Sequence, residues 1–107
     1  AGGYYVPLSE NIMTSDLISS LDIPIILVVG IRLGCLNHTM LTIDAIHKNK
    51  QNIFGWIANI VDPDMHNQEE NIKYLKEKIS EPCMGVIPYI KMKDPVEALQ
   101  HIIWPEI

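Results

Sequence analysis

The most strand-like stretch of the sequence is Pro24-Ile25-Ile26-Leu27-Val28-Val29-Gly30. It is rich in β-branched residues, almost wholly apolar, and bounded by a proline and a glycine, which is typical of a central parallel strand covered on both faces. A parallel strand needs a crossover connection before and after it, and that connection is usually a helix. The neighbouring segments are therefore expected to be helical.

Strand and helix patterns alternate on both sides of this stretch. The sequence predicts helices over 14–21, 35–48, 67–79 and 94–103, and further strands over 53–61 and 83–88. The 67–79 helix has Ile72, Leu75 and Ile79 as its buried stripe. This order predicts an α/β fold, a parallel sheet with helices on both faces, in one domain over residues 1–107. Ligands are expected beyond the carboxyl ends of the strands.

The composition argues against a nucleic-acid-binding protein and against a membrane span. The 107 residues are 48% apolar and carry a formal net charge of −5, a globular balance without a basic run for nucleic acid. The longest apolar stretch is far shorter than the roughly 18–20 residues of a membrane span. Cys35 and Cys83 match neither a disulfide framework nor a zinc pattern, so we expect reduced thiols in a cytoplasmic protein.

The segment after the first strand, residues 30–38, joins a glycine-containing turn to the start of a helix. Free backbone N–H groups and partial positive charge at a helix start favour a bound carboxylate or phosphate. The alternative is an ordinary strand-to-helix loop in which Gly34 only relieves the turn and Asn37 or Thr39 caps the helix. Cys35 and His38 have the spacing of half a metal site, but no second half accompanies them.

Polar and apolar groups also follow the other two strands. The Asn59 side-chain amide can read the edge of a purine ring, or form an Asx turn before Asp62-Pro63. Pro88-Tyr89-Ile90 can cover a planar base, or merely terminate a strand. The chain contains no G-x-x-x-x-G-K-[ST] phosphate-binding loop.

Several segments together resemble the dethiobiotin synthetase family: AGGYYVPLS (1–9), PIILVVGIRLGCLNHTMLT (24–42), GWIAN (55–59) and CMGVIPY (83–89). They occur in the family's order and cover nearly the whole chain. The L-G-C-x-N-H and G-W-x-A-N segments are highly specific together. The resemblance implies the C-terminal half of a P-loop-type enzyme that lacks the N-terminal region with the phosphate-binding loop.

The resemblance also implies an activity. The family closes the ureido ring of dethiobiotin from 7,8-diaminopelargonate, carbon dioxide and ATP with Mg²⁺, through a carbamic-phosphoric anhydride. It works as a homodimer in biotin synthesis. The isolated fragment is expected to be inactive, because it carries neither catalytic residues nor metal ligands of the family.

The resemblance further assigns roles to individual residues. The substrate carboxylate would be held across the dimer interface by backbone N–H groups of Gly34, Cys35, Leu36 and Asn37. The nucleotide would be contacted by residues of three segments, Ala1, Gly2, Asn59, Ile60, Pro88, Tyr89 and Ile90.

Two other classes of function stay open on the sequence. One is a non-catalytic dimerisation or regulatory module that keeps the interface and the carboxylate site. The other is half of a related P-loop amidoligase or of a partitioning ATPase. A co-purifying N-terminal piece distinguishes an enzyme from the module, and binding of diaminopelargonate distinguishes the synthetase from its P-loop relatives.

Overall fold

A computed structural model describes residues 2–105 and shows strands and helices in strict alternation. The elements are α1 (Thr14–Leu21), β1 (Ile25–Ile31), α2 (Cys35–Lys48), β2 (Ile53–Ile60), α3 (Gln68–Lys78), β3 (Cys83–Ile87) and α4 (Pro95–Leu99). The three strands form one parallel sheet in the order β1-β2-β3. The predicted α/β class and element order are confirmed.

One face of the sheet holds the core. Val29 and Ile31 of β1 lie beside Ala58 and Ile60 of β2, and Trp56 of β2 is fully buried. The helices supply the other side of this cluster through Ile43, Ile46, Ile72, Leu75 and Ile79. The stripe predicted for residues 67–79 is thus buried as expected, because mostly charged and polar residues occupy the rest of that helix.

The position of β1 differs from the prediction. Its sequence indicates a central strand covered on both faces, yet β1 is an edge strand of the described sheet. Ile26 and Val28, on the face opposite the core, are 37% and 58% exposed. The apolar composition is that of a covered strand, but no element of the described residues covers this face.

The last helix is shorter than predicted. Asp94 caps α4 by accepting a hydrogen bond from the Val96 N–H at 2.9 Å, as the sequence suggested, but the helix ends at Leu99 instead of reaching residue 103. The chain turns there because the Ile103 N–H donates to the Met84 carbonyl of β3 at 2.7 Å. Residues 101–103 therefore run against β3, where Gly85 leaves room for the His101 carbonyl.

Over the described part of the chain, none of the helices has the length and apolar character required to cross a membrane. Cys35 is buried and Cys83 is half-buried, and both are free thiols.

Candidate functional site

The carboxyl ends of the three strands lie at one edge of the sheet, since all strands are parallel. Gly30 pairs in register with Asn59, and Asn59 pairs with Ile87. The end of β2 therefore lies between the turn after β1 and the loop after β3. Except for Ala1 and Gly2 at the start of the chain, the predicted carboxylate and nucleotide residues come from these three segments.

The start of α2 leaves backbone donors free. Gly34 is its N-cap with φ of 90°, a left-handed conformation that glycine adopts without strain, and no side chain caps the helix. The Cys35 N–H is used within the turn, where it donates to the Arg32 carbonyl at 3.0 Å. Among residues 2–105, the N–H groups of Leu36 and Asn37 have no backbone acceptor. Neither Asn37 nor Thr39 caps the helix with its side chain. The backbone N–H groups of Leu36 and Asn37 can therefore still bind an anion.

A cavity of about 530 Å³ adjoins this turn. Gly2 and Gly3 at the start of the chain and Gly34 and Cys35 of the turn all contribute to its wall. Arg32, the only arginine in the sequence, lines the same cavity, and none of the lining residues is acidic. The electrostatic environment therefore favours a negatively charged ligand.

Asn59 lies half-buried near the end of β2, next in register to the end of β3. The alternative role for Asn59 was an Asx turn before Asp62-Pro63. In the structure Asp62 forms that turn, and its Oδ1 accepts a hydrogen bond from the Asp64 N–H at 3.0 Å. The Asn59 amide is therefore not needed for that turn. Ile60 packs against the core cluster, so its side chain faces away from that of Asn59, as successive residues of a strand do.

The loop after β3 presents a small apolar surface beside Asn59. Pro88 and Tyr89 are exposed, with 48% of Tyr89 accessible, while Ile90 is half-buried. A turn in which the Lys93 N–H donates to the Ile90 carbonyl at 3.2 Å fixes the far end of this loop. An amide beside apolar and aromatic side chains is an arrangement suited to a planar base.

The remaining predicted residues fall into two groups. Gly2 is exposed and lines the cavity, whereas Ala1 lies outside the described residues. Arg32 was not predicted as a site residue, although its position two residues before Gly34 in a predicted anion-binding turn was a usable signal. Thr39 and Thr42 of α2, which also line the cavity, were not predicted as site residues either.

Residues 2–105 contain no group of three or more His, Cys, Asp or Glu side chains able to hold a metal ion. The Asp62 carboxylate accepts from the Asp64 backbone N–H in the turn before α3. The described residues do not fit a magnesium site.

Comparison with known proteins gives one family and a consistent set of relatives. A family model described as an AAA domain matches residues 1–96. A protein of Wigglesworthia glossinidia brevipalpis named ATP-dependent dethiobiotin synthetase BioD is 46% identical over 103 residues, which cover 96% of this chain and 45% of that protein. Proteins of the same name from Cellvibrio japonicus and Aromatoleum aromaticum are 43% and 41% identical, over 95% and 97% of this chain.

The chain spans about half the length of the curated relatives it matches, because the aligned part covers 45–46% of each of these three proteins. The resemblance noted from the sequence motifs is confirmed by these similarities.

Proposed function

Because the chain belongs to the AAA domain family and is similar over nearly its whole length to dethiobiotin synthetases, we propose that it forms the C-terminal half of such an enzyme. The observation that carries this proposal is the meeting of three segments at one sheet edge: the α2 start, Asn59 and the loop after β3. The relatives are about twice as long, which leaves room for an N-terminal half of similar size.

The proposed reaction joins three substrates, 7,8-diaminopelargonate, carbon dioxide and ATP. One amine takes up carbon dioxide to give a carbamate, and the γ-phosphoryl group of ATP passes to the carbamate oxygen, releasing ADP. The second amine then attacks the carbonyl carbon and expels phosphate, which closes the ureido ring. Such a reaction depends on holding two amines and a phosphoryl group in alignment, so positioning residues matter more than a protein nucleophile.

This chain is proposed to bind the adenine and the phosphates of the nucleotide and the carboxylate of the substrate. Asn59 would hydrogen-bond the adenine edge, with Pro88, Tyr89 and Ile90 against the ring. The backbone of Gly2 would lie near the phosphates, as would that of Ala1, which is outside the described residues. Among the four amides assigned to the substrate carboxylate, those of Gly34, Leu36 and Asn37 are the better donors, because the Cys35 N–H already donates to Arg32.

Magnesium and the main phosphate contacts would come from the other half of the enzyme. Mg²⁺ would supply charge neutralisation for the transferred phosphoryl group. The described residues hold no suitable cluster, so they would contribute no metal ligand. The isolated 107 residues are accordingly expected to be inactive.

A homodimer is part of the proposal. Leu33, at the tip of the turn before α2, is 94% exposed, and Leu41 on the outer side of α2 is 61% exposed. Apolar side chains so fully exposed beside an anion-binding turn suit a subunit interface. The carboxylate of a substrate bound in one subunit would then contact the turn of its neighbour.

The test is turnover by the complete protein that carries this chain. Incubated with 7,8-diaminopelargonate, bicarbonate, ATP and Mg²⁺, it is expected to release dethiobiotin, detected by mass spectrometry. Asn59→Ala is expected to raise the KM for ATP about tenfold, the effect of losing roughly 1.4 kcal/mol of base recognition. Asn52→Ala, just before the opposite end of β2, is the matched control. A complete protein that forms a dimer but no dethiobiotin would refute the synthetase and favour a non-catalytic module.

A further inference from the structure

Two tyrosines follow directly after the glycines that line the cavity. The hydroxyl of Tyr4 donates a hydrogen bond to the Gln51 side-chain oxygen. The side-chain amide of Asn49 donates to the hydroxyls of both Tyr4 and Tyr5, at 3.1 and 3.2 Å. The two tyrosine rings lie with their centroids 5.1 Å apart. Four side chains, Tyr4, Tyr5, Asn49 and Gln51, thus form one connected group, here termed the tyrosine clasp.

The clasp is anchored in the rest of the fold. Asn49 is the C-cap of α2, and Gln51 lies in the connection from α2 to β2. The Gln51 side-chain nitrogen donates to the Ser19 hydroxyl and, at 3.4 Å, to the Ser15 carbonyl of α1. The clasp therefore ties the start of the chain to α1 and to the C-terminal end of α2.

The segment next to the clasp, Gly2–Gly3, has no side chains that could hold its backbone in place. Gly2 is exposed, and an added Cβ there would meet nothing within 4 Å. Gly3 has φ of 145°, a conformation that side chains rarely adopt. Both glycines, together with Tyr4, line the 530 Å³ cavity and a second cavity of about 250 Å³, so they form part of the wall between the two.

We propose that the tyrosine clasp positions the Gly2–Gly3 backbone for contact with the phosphates of the nucleotide. This inference rests on the proposed function, which puts the nucleotide beside these glycines. Glycine loses more conformational freedom on ordering than other residues, so a Gly-Gly segment is ordered only where its neighbours hold it. Tyr4 and Tyr5 are positioning residues in this account, because they act through the backbone they precede.

The clasp has a predictable effect on nucleotide binding. Without it, the ordering of the Gly-Gly backbone has to occur at the moment of binding, and the freedom lost by one residue corresponds to roughly a tenfold weaker affinity. Tyr4 makes two of the hydroxyl hydrogen bonds and Tyr5 makes one. Loss of the Tyr4 hydroxyl is therefore expected to weaken binding more than loss of the Tyr5 hydroxyl.

The test compares phenylalanine variants of the complete protein, which keep the rings and remove the hydroxyls. Tyr4→Phe is expected to raise the Kd and the KM for ATP about tenfold, with kcat at saturating ATP unchanged. Tyr5→Phe is expected to have a smaller effect. Tyr74→Phe, on the partly exposed face of α3, is the matched control and should leave both constants unchanged.

Each outcome bears on the inference in a different way. If the wild-type protein binds ATP and Tyr4→Phe binds it equally well, the clasp is overturned while the proposed function stands. If the wild-type protein binds no ATP, both are overturned. A merely structural role would lower the melting temperature and leave the Kd of the folded variant unchanged, and that result also contradicts the proposal. Asn49→Ala, which removes the amide donor of both tyrosines, should reproduce the Tyr4→Phe change in Kd.

Discussion

Replacing Gly85 with alanine tests how residues 101–103 are held against β3. A Cβ at this position would lie 1.9 Å from the His101 carbonyl oxygen and 2.9 Å from its carbon, which are backbone atoms that cannot rotate away. The His101 carbonyl would have to move by about 1 Å or more to restore an ordinary contact. Such a shift would break the 2.7 Å hydrogen bond from the Ile103 N–H to the Met84 carbonyl.

The cost follows from these two effects. Overpacking against a fixed neighbour costs about 1–3 kcal/mol, and one lost hydrogen bond about 1 kcal/mol. Gly85→Ala is therefore expected to lower the free energy of unfolding by about 2–4 kcal/mol. Gly30→Ala is the matched control, because its Cβ would meet only Val61 methyl groups, at 3.7 and 3.9 Å. It is expected to change stability by no more than about 0.5 kcal/mol.

Urea unfolding of the complete protein, followed by circular dichroism, measures both variants. An equal stability for Gly85→Ala and Gly30→Ala would refute the close approach of residues 101–103 to β3. A loss confined to Gly85→Ala, with the m-value unchanged, would support it.

Three further changes test other parts of the fold by the same unfolding measurement. Burial alone would raise the pKa of the Glu81 carboxyl, but hydrogen bonds, chiefly from His47 at 2.9 Å, hold it below its ordinary value of 4.5. Glu81→Gln is therefore expected to lower the free energy of unfolding by up to about 1 kcal/mol at neutral pH. This difference should vanish as the pH falls below 4.5 through the folded-state pKa of Glu81. A difference in unfolding free energy that persists at low pH would contradict the pairing of Glu81 with His47. Asp94→Ala, which removes the cap on the Val96 N–H, is expected to cost about 1 kcal/mol, and Asp94→Asn should restore most of it. Leu75→Ala, at a fully buried position, is expected to cost about 2–5 kcal/mol, and a loss below 1 kcal/mol would contradict its place in the core.

The buried face of a helix could be predicted from the sequence where its apolar residues recur at one clear helical spacing. The stripe on α3 was clear because charged residues surround Ile72 and Leu75. On α2 the large apolar side chains of the first two turns are Leu36 and Met40, whereas the buried residues there are Cys35 and Thr39. Hydropathy favoured the larger side chains, but the smaller ones lie against the sheet there.

Contacts between residues far apart in the sequence could not be predicted from local sequence patterns. The early end of α4 depends on a hydrogen bond to Met84 and on the space left by Gly85, and neither is visible in residues 94–103. The exposed face of β1 likewise depends on which strands are present, since the apolar pattern of a strand does not identify its neighbours.

The candidate site was partly predictable. The free amides at the start of α2 follow from the glycine turn and from the absence of an acidic residue in the first turn. The tyrosine clasp was not foreseen, because its members are about 45 residues apart in sequence and Asn49 and Gln51 appear locally as ordinary loop residues.

The most direct test of the account is the position of the adenine ring in a crystal structure of the complete protein with a non-hydrolysable ATP analogue. We expect the adenine edge to lie about 3 Å from the Asn59 amide, with the ring against Pro88–Ile90. An adenine ring bound elsewhere, with the Asn59 amide left facing solvent, would contradict it.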